Sequence, residues 1–566
     1  MAPHHTDPDL SAFTNAAAPA LAARALSRRR LLKFGGVALA ATAAAPALAA
    51  CGAGSSAQSG TSGAASSSTD TLTVATATAG TVFDPEQPSG IFQYTMLYDS
   101  LFDTSTPPDS GELAALLADY EPEAALATAW ESNKDNSVWT ITLNTDAMSP
   151  AGNSLTSADV MWSFERHLAM KWYGGIFLNR VGVTDISQIE APSDDTIVMN
   201  LAGPIGRTYF LQLMGCFIVP IFDATEAQAN ATDDDPWAQD YIASNACGFG
   251  PYQLQSVAAD GTLNVFEANP NYYGEVAIPT VTFRTTTETS TQLQLLLRGE
   301  AQVIDALSPV QIDEVESSDS AKVVTVANTG YTFLGFNNEE ELYQDVALHQ
   351  GIAYALPFDD IVNSVFRGQA TSMKSVLPSF FQGFTDEYWV YDQDLDKATE
   401  MLAPYAGQGL KLQYKGGSTL LQSLAVLIQS SLSDVGLDVE LVSVDPTTFA
   451  GELTEATLLM WLDNQSTPLV PDSLYGLQLL FPSDPTQVLI HYSNDVVDEA
   501  VGALATSFDP DEQVELIRTA QKQIMADLPI LPLAETGGLI PVASNIDGVK
   551  GHGANIPWGR GYSYSA

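Results

Sequence analysis

The feature that most limits what this chain can become lies at its start. Ser27-Arg28-Arg29-Arg30-Leu31-Leu32-Lys33 has the twin-arginine export pattern, an alanine-rich apolar run extends from Phe34 to Ala47, and Ala49-Ala50 precede Cys51. The run is too short to cross a bilayer, and small residues before a cysteine match the bacterial lipoprotein-processing site. The expectation is a signal segment over residues 1–50, with Cys51 as the lipidated first residue of the mature protein. The rest of the chain is then expected to sit outside the cytoplasm, on the outer face of the cytoplasmic membrane. It is anchored by lipid rather than spanning, because no later stretch approaches twenty apolar residues.

Residues 51–70 are almost wholly Gly, Ala, Ser, Thr and Gln, which bury too little apolar surface to order themselves and act as a flexible tether. The body beyond has a globular composition: 45% hydrophobic and 9% aromatic residues against 16% charged over the whole chain. Charge is one-sided, with 22 Lys and Arg against 68 Asp and Glu and a net charge of -46. Without residues 1–50 the remainder has 17 basic and 66 acidic side chains, or -49. A surface that tracks phosphates is hard to assemble from so few cations, so nucleic acid is excluded as a partner.

The body reads as α/β. Strands are expected from Leu72, Val138, Thr196, Leu263, Val281 and Val323, where β-branched residues alternate with others. Helices are expected over Ser157–Leu168, Leu420–Leu432 and Glu512–Leu528, where apolar residues recur at helical spacing. Beyond Cys51 the cysteines are Cys216 and Cys247. In an oxidising setting these form a disulfide, closing about thirty residues and contributing about 3 kcal/mol in the chain-entropy model, or remain two buried thiols.

Catalytic signatures are missing. There is no G-x-S-x-G elbow, no G-x-x-x-x-G-K, no G-x-G-x-x-G and no H-E-x-x-H. His167, His349, His491 and His552 are scattered, so no metal site and no cofactor is expected. Asp392-Gln-Asp394-Leu-Asp396 mimics a calcium loop but has Lys397 where the turn glycine belongs and Ala403 where the bidentate Glu belongs. It reads instead as a turn and helix start capped by Asp.

An ordered set of phrases then carries a resemblance. The first half contains Met96-Leu-Tyr-Asp-Ser-Leu-Phe, Ala125-Leu-Ala-Thr-Ala-Trp-Glu-Ser, Leu155-Thr-Ser-Ala-Asp159-Val-Met-Trp-Ser-Phe, Gly248-Phe-Gly-Pro-Tyr252 and Asn269-Pro-Asn-Tyr-Tyr-Gly. The second contains Tyr331-Thr-Phe-Leu-Gly-Phe-Asn337, Gly351-Ile-Ala-Tyr-Ala-Leu-Pro-Phe, Tyr492-Ser-Asn-Asp-Val-Val-Asp498 and Pro529-Ile-Leu-Pro-Leu. From about Thr71 to Val549 the chain resembles the extracytoplasmic solute-binding proteins of peptide-type ABC importers.

That resemblance implies a two-lobed periplasmic-binding-protein-like fold of type II, with two crossover strands and a discontinuous first lobe. Lobe I would comprise 71–330 and 531–566, and lobe II 331–530. It implies a monomer without catalysis that closes on a peptide or other small solute and presents it to a membrane permease. In peptide-binding relatives a W-x-x-D-type stretch lines the cleft, its Asp meeting an ammonium. Here the stretch is Met460-Trp461-Leu462-Asp463-Asn464, one residue tighter. Trp461 is then an apolar wall or plain core, and Asp463 the ammonium acceptor or a strand-end cap. Lys415 matches in position the family's carboxylate site, or is a solvated surface charge. Tyr331 and Asn337 line the cleft or pack the hinge. Family breadth leaves open a peptide or amine-bearing solute, a neutral oligosaccharide, or a metal chelate. A secreted hydrolase is the remote alternative.

Overall fold

The computed structural model describes residues 70–565 except 78–79, 88–90, 105–120, 305–306, 327, 465–467, 484–489, 553–555 and 558–560. The expected export segment, Cys51 and all but the last residue of the tether lie outside the described residues.

Local structure obeys the sequence pattern. Val138–Leu143 buries Trp139, Ile141 and Leu143 in alternation, as a strand with one face on a core must. Ser157–Met170 begins at Thr156, whose amide and hydroxyl both donate to the Asp159 carboxylate at 2.8 Å. That acid also lies where the helix dipole favours negative charge. Strands and helices stand at every expected position. Asp394 caps Leu395–Leu402 by accepting from the Lys397 amide at 2.9 Å, the ordinary alternative to a calcium loop.

Among the described residues, three sheets have four or more strands. A seven-stranded sheet runs in the order 321–326, 538–543, 303–304, 71–76, 280–285, 263–268, 252–257. A six-stranded sheet runs 370–372, 530–536, 331–336, 460–463, 410–415, 439–444. A four-stranded antiparallel sheet runs 127–132, 138–143, 196–200, 189–193. One apolar core joins the four-stranded sheet to the six-stranded lobe, and a second lies under the seven-stranded sheet.

The chain crosses to the second lobe after Val326 and returns through Gly537. Val326 pairs with Gly538 in one sheet and Tyr331 with Glu535 in the other, so two antiparallel strands bridge the lobes side by side. Asn328 braces them, donating to the Thr536 carbonyl at 3.2 Å and accepting from the Gly330 amide at 3.0 Å. A Cβ on Gly537 would stand 2.7 Å from Thr325 Cγ2, so a side chain there would have to displace that threonine. The expected return at residue 531 is corrected to this glycine. Ile530–Thr536 is laddered to Tyr331–Phe336 and Ala370–Ser372, and assigning it to the first lobe would break both ladders.

The disulfide alternative is also corrected. Cys216 and Cys247 are free thiols, the first packed in the larger core and the second under the seven-stranded sheet, where its Sγ donates to the Asp223 carbonyl at 3.3 Å. Burial pushes the Cys216 thiol up to about 12 and the Cys247 thiol well above its usual range.

The loop after the first strand is pinned to the 157–170 helix by buried charge. Arg166 donates to both Asp84 oxygens at 3.0 and 2.6 Å and through Nε to the Trp237 carbonyl, with its guanidinium 4.7 Å above the Phe222 ring. Next to it His167 bridges Glu86 and the Pro220 carbonyl. All four side chains are buried, so the Arg166 and Asp84 charges depend on each other and His167 and Glu86 on their hydrogen bond.

Candidate functional site

Strand direction brings the candidate residues together. Tyr331–Phe336 runs antiparallel to Met460–Asp463, with Phe333 opposite Asp463 and Gly335 opposite Trp461. Leu410–Lys415 runs parallel to Met460–Asp463, with Gln413 beside Trp461 and Tyr414 beside Leu462. The start of the first strand and the ends of the other two therefore meet at one edge of the sheet, beside the crossover. Alternation puts Tyr331, Phe333, Trp461 and Asp463 on one face. Asp463 is only 4% exposed. Its charge reaches two groups: it helps hold the Tyr331 hydroxyl above its usual range, behind the larger effect of burial, and it opposes the fall that burial imposes on the Lys415 ammonium. Tyr331, Asp463 and Lys415 form one electrostatic cluster, with the Lys415 ammonium 5.6 Å from the Phe449 ring centre.

The other expected residues divide. Trp461 is 1% exposed and its indole lies against Gly335, where a Cβ would come within 2.6 Å of Cε2. It shares a strand face with Asp463, and its buried Nε1 donor has no hydrogen-bond partner among the described residues. Asn464 is an exposed bend at the end of the strand. Asn337 is corrected as a cleft residue: it succeeds the far end of Tyr331–Phe336, about 20 Å along the strand from Tyr331. There its amide donates to the Ala456 and Leu458 carbonyls at 2.8 and 2.9 Å and accepts from the Glu339 amide at 3.1 Å.

Sequence reading missed Glu535, which pairs in register with Tyr331 and accepts from the Ser379 amide and hydroxyl at 3.0 and 2.8 Å. Burial raises its carboxyl above the usual range. Only the register reveals it, since one acid among 68 carries no local signal. Also missed were the residues by which the lobes touch. Gln478, in the helix Ser473–Leu480, accepts from Arg180 Nη1 and the Tyr209 hydroxyl, both at 2.9 Å. The Phe177 ring meets Tyr475 edge-on at 5.6 Å, and Arg180 lies 5.1 Å over the same tyrosine. Arg367 pairs with Asp313 in a second contact nearer the hinge, Nε to Oδ2 at 2.6 Å. Between the lobes lies a cavity of about 370 Å³ bounded by Lys134, Arg207 and Tyr209 on one side and Gln382, Asp472 and Gln513 on the other. Asp472 caps Ser473–Leu480, accepting from the Tyr475 amide at 3.0 Å, and burial lifts its carboxyl to about 6. Among the described residues no group of three or more His, Cys, Asp or Glu is placed to hold a metal ion.

The arrangement is a two-lobed clamp with charged strand ends at its base. Comparison with known proteins agrees with that shape. The family model for bacterial extracellular solute-binding proteins, family 5 (middle), matches residues 121–487. The probable D,D-dipeptide-binding periplasmic protein DdpA of Escherichia coli (strain K12) is 25% identical over 437 residues, covering 76% of this chain and 81% of its own. Heme-binding protein A of Haemophilus influenzae is 23% identical over 465 residues, covering 76% and 81%. Among solved structures, the ABC transporter-associated periplasmic binding protein DppA from Helicobacter pylori, in complex with the peptide STSA, has a TM-score of 0.75 at 23% identity, covering 88% of this chain and 98% of its own.

Proposed function

The chain belongs to the family 5 bacterial extracellular solute-binding proteins, the binding components of peptide-type ABC importers, and from that premise we propose that it captures a short peptide or related amine-bearing solute for delivery to a permease. The observation that carries this reading is the buried Asp463 carboxylate at the strand-end edge, with the Lys415 ammonium in its field. A carboxylate in a water-poor cleft makes a charge-assisted hydrogen bond to an ammonium. Because the site supplies both signs, a zwitterion fits it better than a plain amine. The Trp461 Nε1 donor adds a partner for a carbonyl. Closure around such a solute changes the shape that a permease meets, so loaded and empty forms are distinguishable. No catalytic step belongs to this reading.

The proposal includes export by the twin-arginine route and a lipid anchor at Cys51 on the outer face of the cytoplasmic membrane, supported by the pattern over residues 27–51. The deciding experiment is mass spectrometry of small molecules released from protein purified out of its native membrane. It is paired with calorimetric titration of Ala-Ala, a neutral trisaccharide and a nickel–histidine chelate. Release of peptides and heat on adding Ala-Ala support the reading. Heat only with the sugar or the chelate replaces it with one of those ligands, and turnover of any of them would point to a hydrolase.

A further inference from the structure

Where the lobes meet, one buried side chain has no partner. Gln212 stands in the helix Arg207–Met214 and is 1% exposed, yet both its Oε1 and its Nε2 lack a hydrogen-bond partner among the described residues. Its place is set by helical spacing. Tyr209 precedes it by three residues within the helix, so the two share a face. That neighbour reaches the second lobe, its hydroxyl donating to Gln478 at 2.9 Å. Gln212 thus lies in the seam that forms when the 173–180 and 207–214 helices meet Ser473–Leu480.

An amide in that position has two fates. With the lobes apart, water satisfies it. With the lobes together and nothing between them, a donor and an acceptor are stripped of water without replacement, which opposes closure. We propose that Gln212 is a solute-reading residue that makes closure conditional. Its amide disfavours the empty closed form, and a solute offering both an acceptor and a donor, as a peptide group does, satisfies it and allows the lobes to close. The peptide part of this inference rests on the function proposed above, whereas the penalty on empty closure does not. Gln478, Arg180 and Tyr209 supply attraction across the same seam that Gln212 offsets.

The test is Gln212→Met, which keeps length and apolar bulk and removes both polar atoms. Small-angle scattering of ligand-free protein is compared with that of wild type, with thermal melts in parallel. The expected result is a ligand-free variant whose radius of gyration moves toward the closed value while wild type stays open. In a second arm, affinities are measured for Ala-Ala and for its ester analogue, in which oxygen replaces the amide N–H. Wild type should prefer Ala-Ala by about tenfold or more, and the variant should bring that ratio close to one. Unchanged ligand-free scattering with only a shifted melt would mean that the amide is a structural group bridged by water, and would overturn the proposal. If wild type ignores Ala-Ala, the peptide reading fails, and the ligand-free comparison alone decides the role of Gln212.

Discussion

Replacing Asp463 by Asn changes the strand-end site by one charge and almost no volume. The carboxylate is 4% exposed, so solvent screens it poorly. Its field supports the Lys415 ammonium, which burial otherwise depresses, and the substitution moves that ammonium further down. For a bound solute ammonium, losing the partner of a desolvated pair costs about 2–5 kcal/mol, a weakening of about thirty-fold or more in Kd. The effect on the empty fold is smaller. Lys415 is only half-buried and keeps access to water, so the stability lost is about 1 kcal/mol. Calorimetric titration with Ala-Ala, beside thermal melts of both proteins, separates the two effects. The reasoning predicts a large loss of affinity with a small shift in the melt. Unchanged affinity with a lowered melt would make Asp463 a strand-end cap, and the ligand's cation would have to be met elsewhere.

Other perturbations address the scaffold and the export segment. Asp84→Asn strands the buried Arg166 guanidinium and should lower unfolding free energy by about 3–5 kcal/mol in denaturant titration; a loss under about 1 kcal/mol would show that the pair is solvated. Unreduced protein lacking Cys51 should react with a thiol reagent at no cysteine while folded and at both Cys216 and Cys247 once denatured, whereas a bridge would leave neither reactive. Burial lowers His349 from 6.5 to about 4. Its neutral form therefore stabilises the fold above about pH 6.5, and that stability, at most about 3 kcal/mol, is lost as pH falls toward 4. His349→Gln should flatten that part of the stability profile, and an unchanged slope would assign it to other groups. Cys51→Ala should release folded protein into the medium, and material still membrane-bound after alkaline washing would exclude the lipid anchor.

Features encoded locally could be read along the chain. The alternation in Val138–Leu143 and the Thr156–Asp159 cap each involve residues a few positions apart, whose physics is complete without the rest of the molecule. The ordered phrases from Met96 to Pro529 extended that reading to the family and the two-lobed fold. Other features depend on which strands are neighbours. Asn337 sits in the same strand-end phrase as Tyr331, yet only the direction of Tyr331–Phe336 shows that its side chain is spent at the far end, on Ala456 and Leu458. Glu535 joins the site because Ile530–Thr536 ladders to Tyr331, a pairing across some two hundred residues that also moved the lobe boundary to Gly537. Cys216 and Cys247 looked like a bridge by number and compartment but pack in different cores. The sequence by itself determined the elements and the family, since those rest on short-range pattern. Tertiary structure alone decided which charges face each other, because register and lobe contact join residues such as Tyr209 and Gln478, 269 positions apart, through hydrogen bonds that no local pattern anticipates.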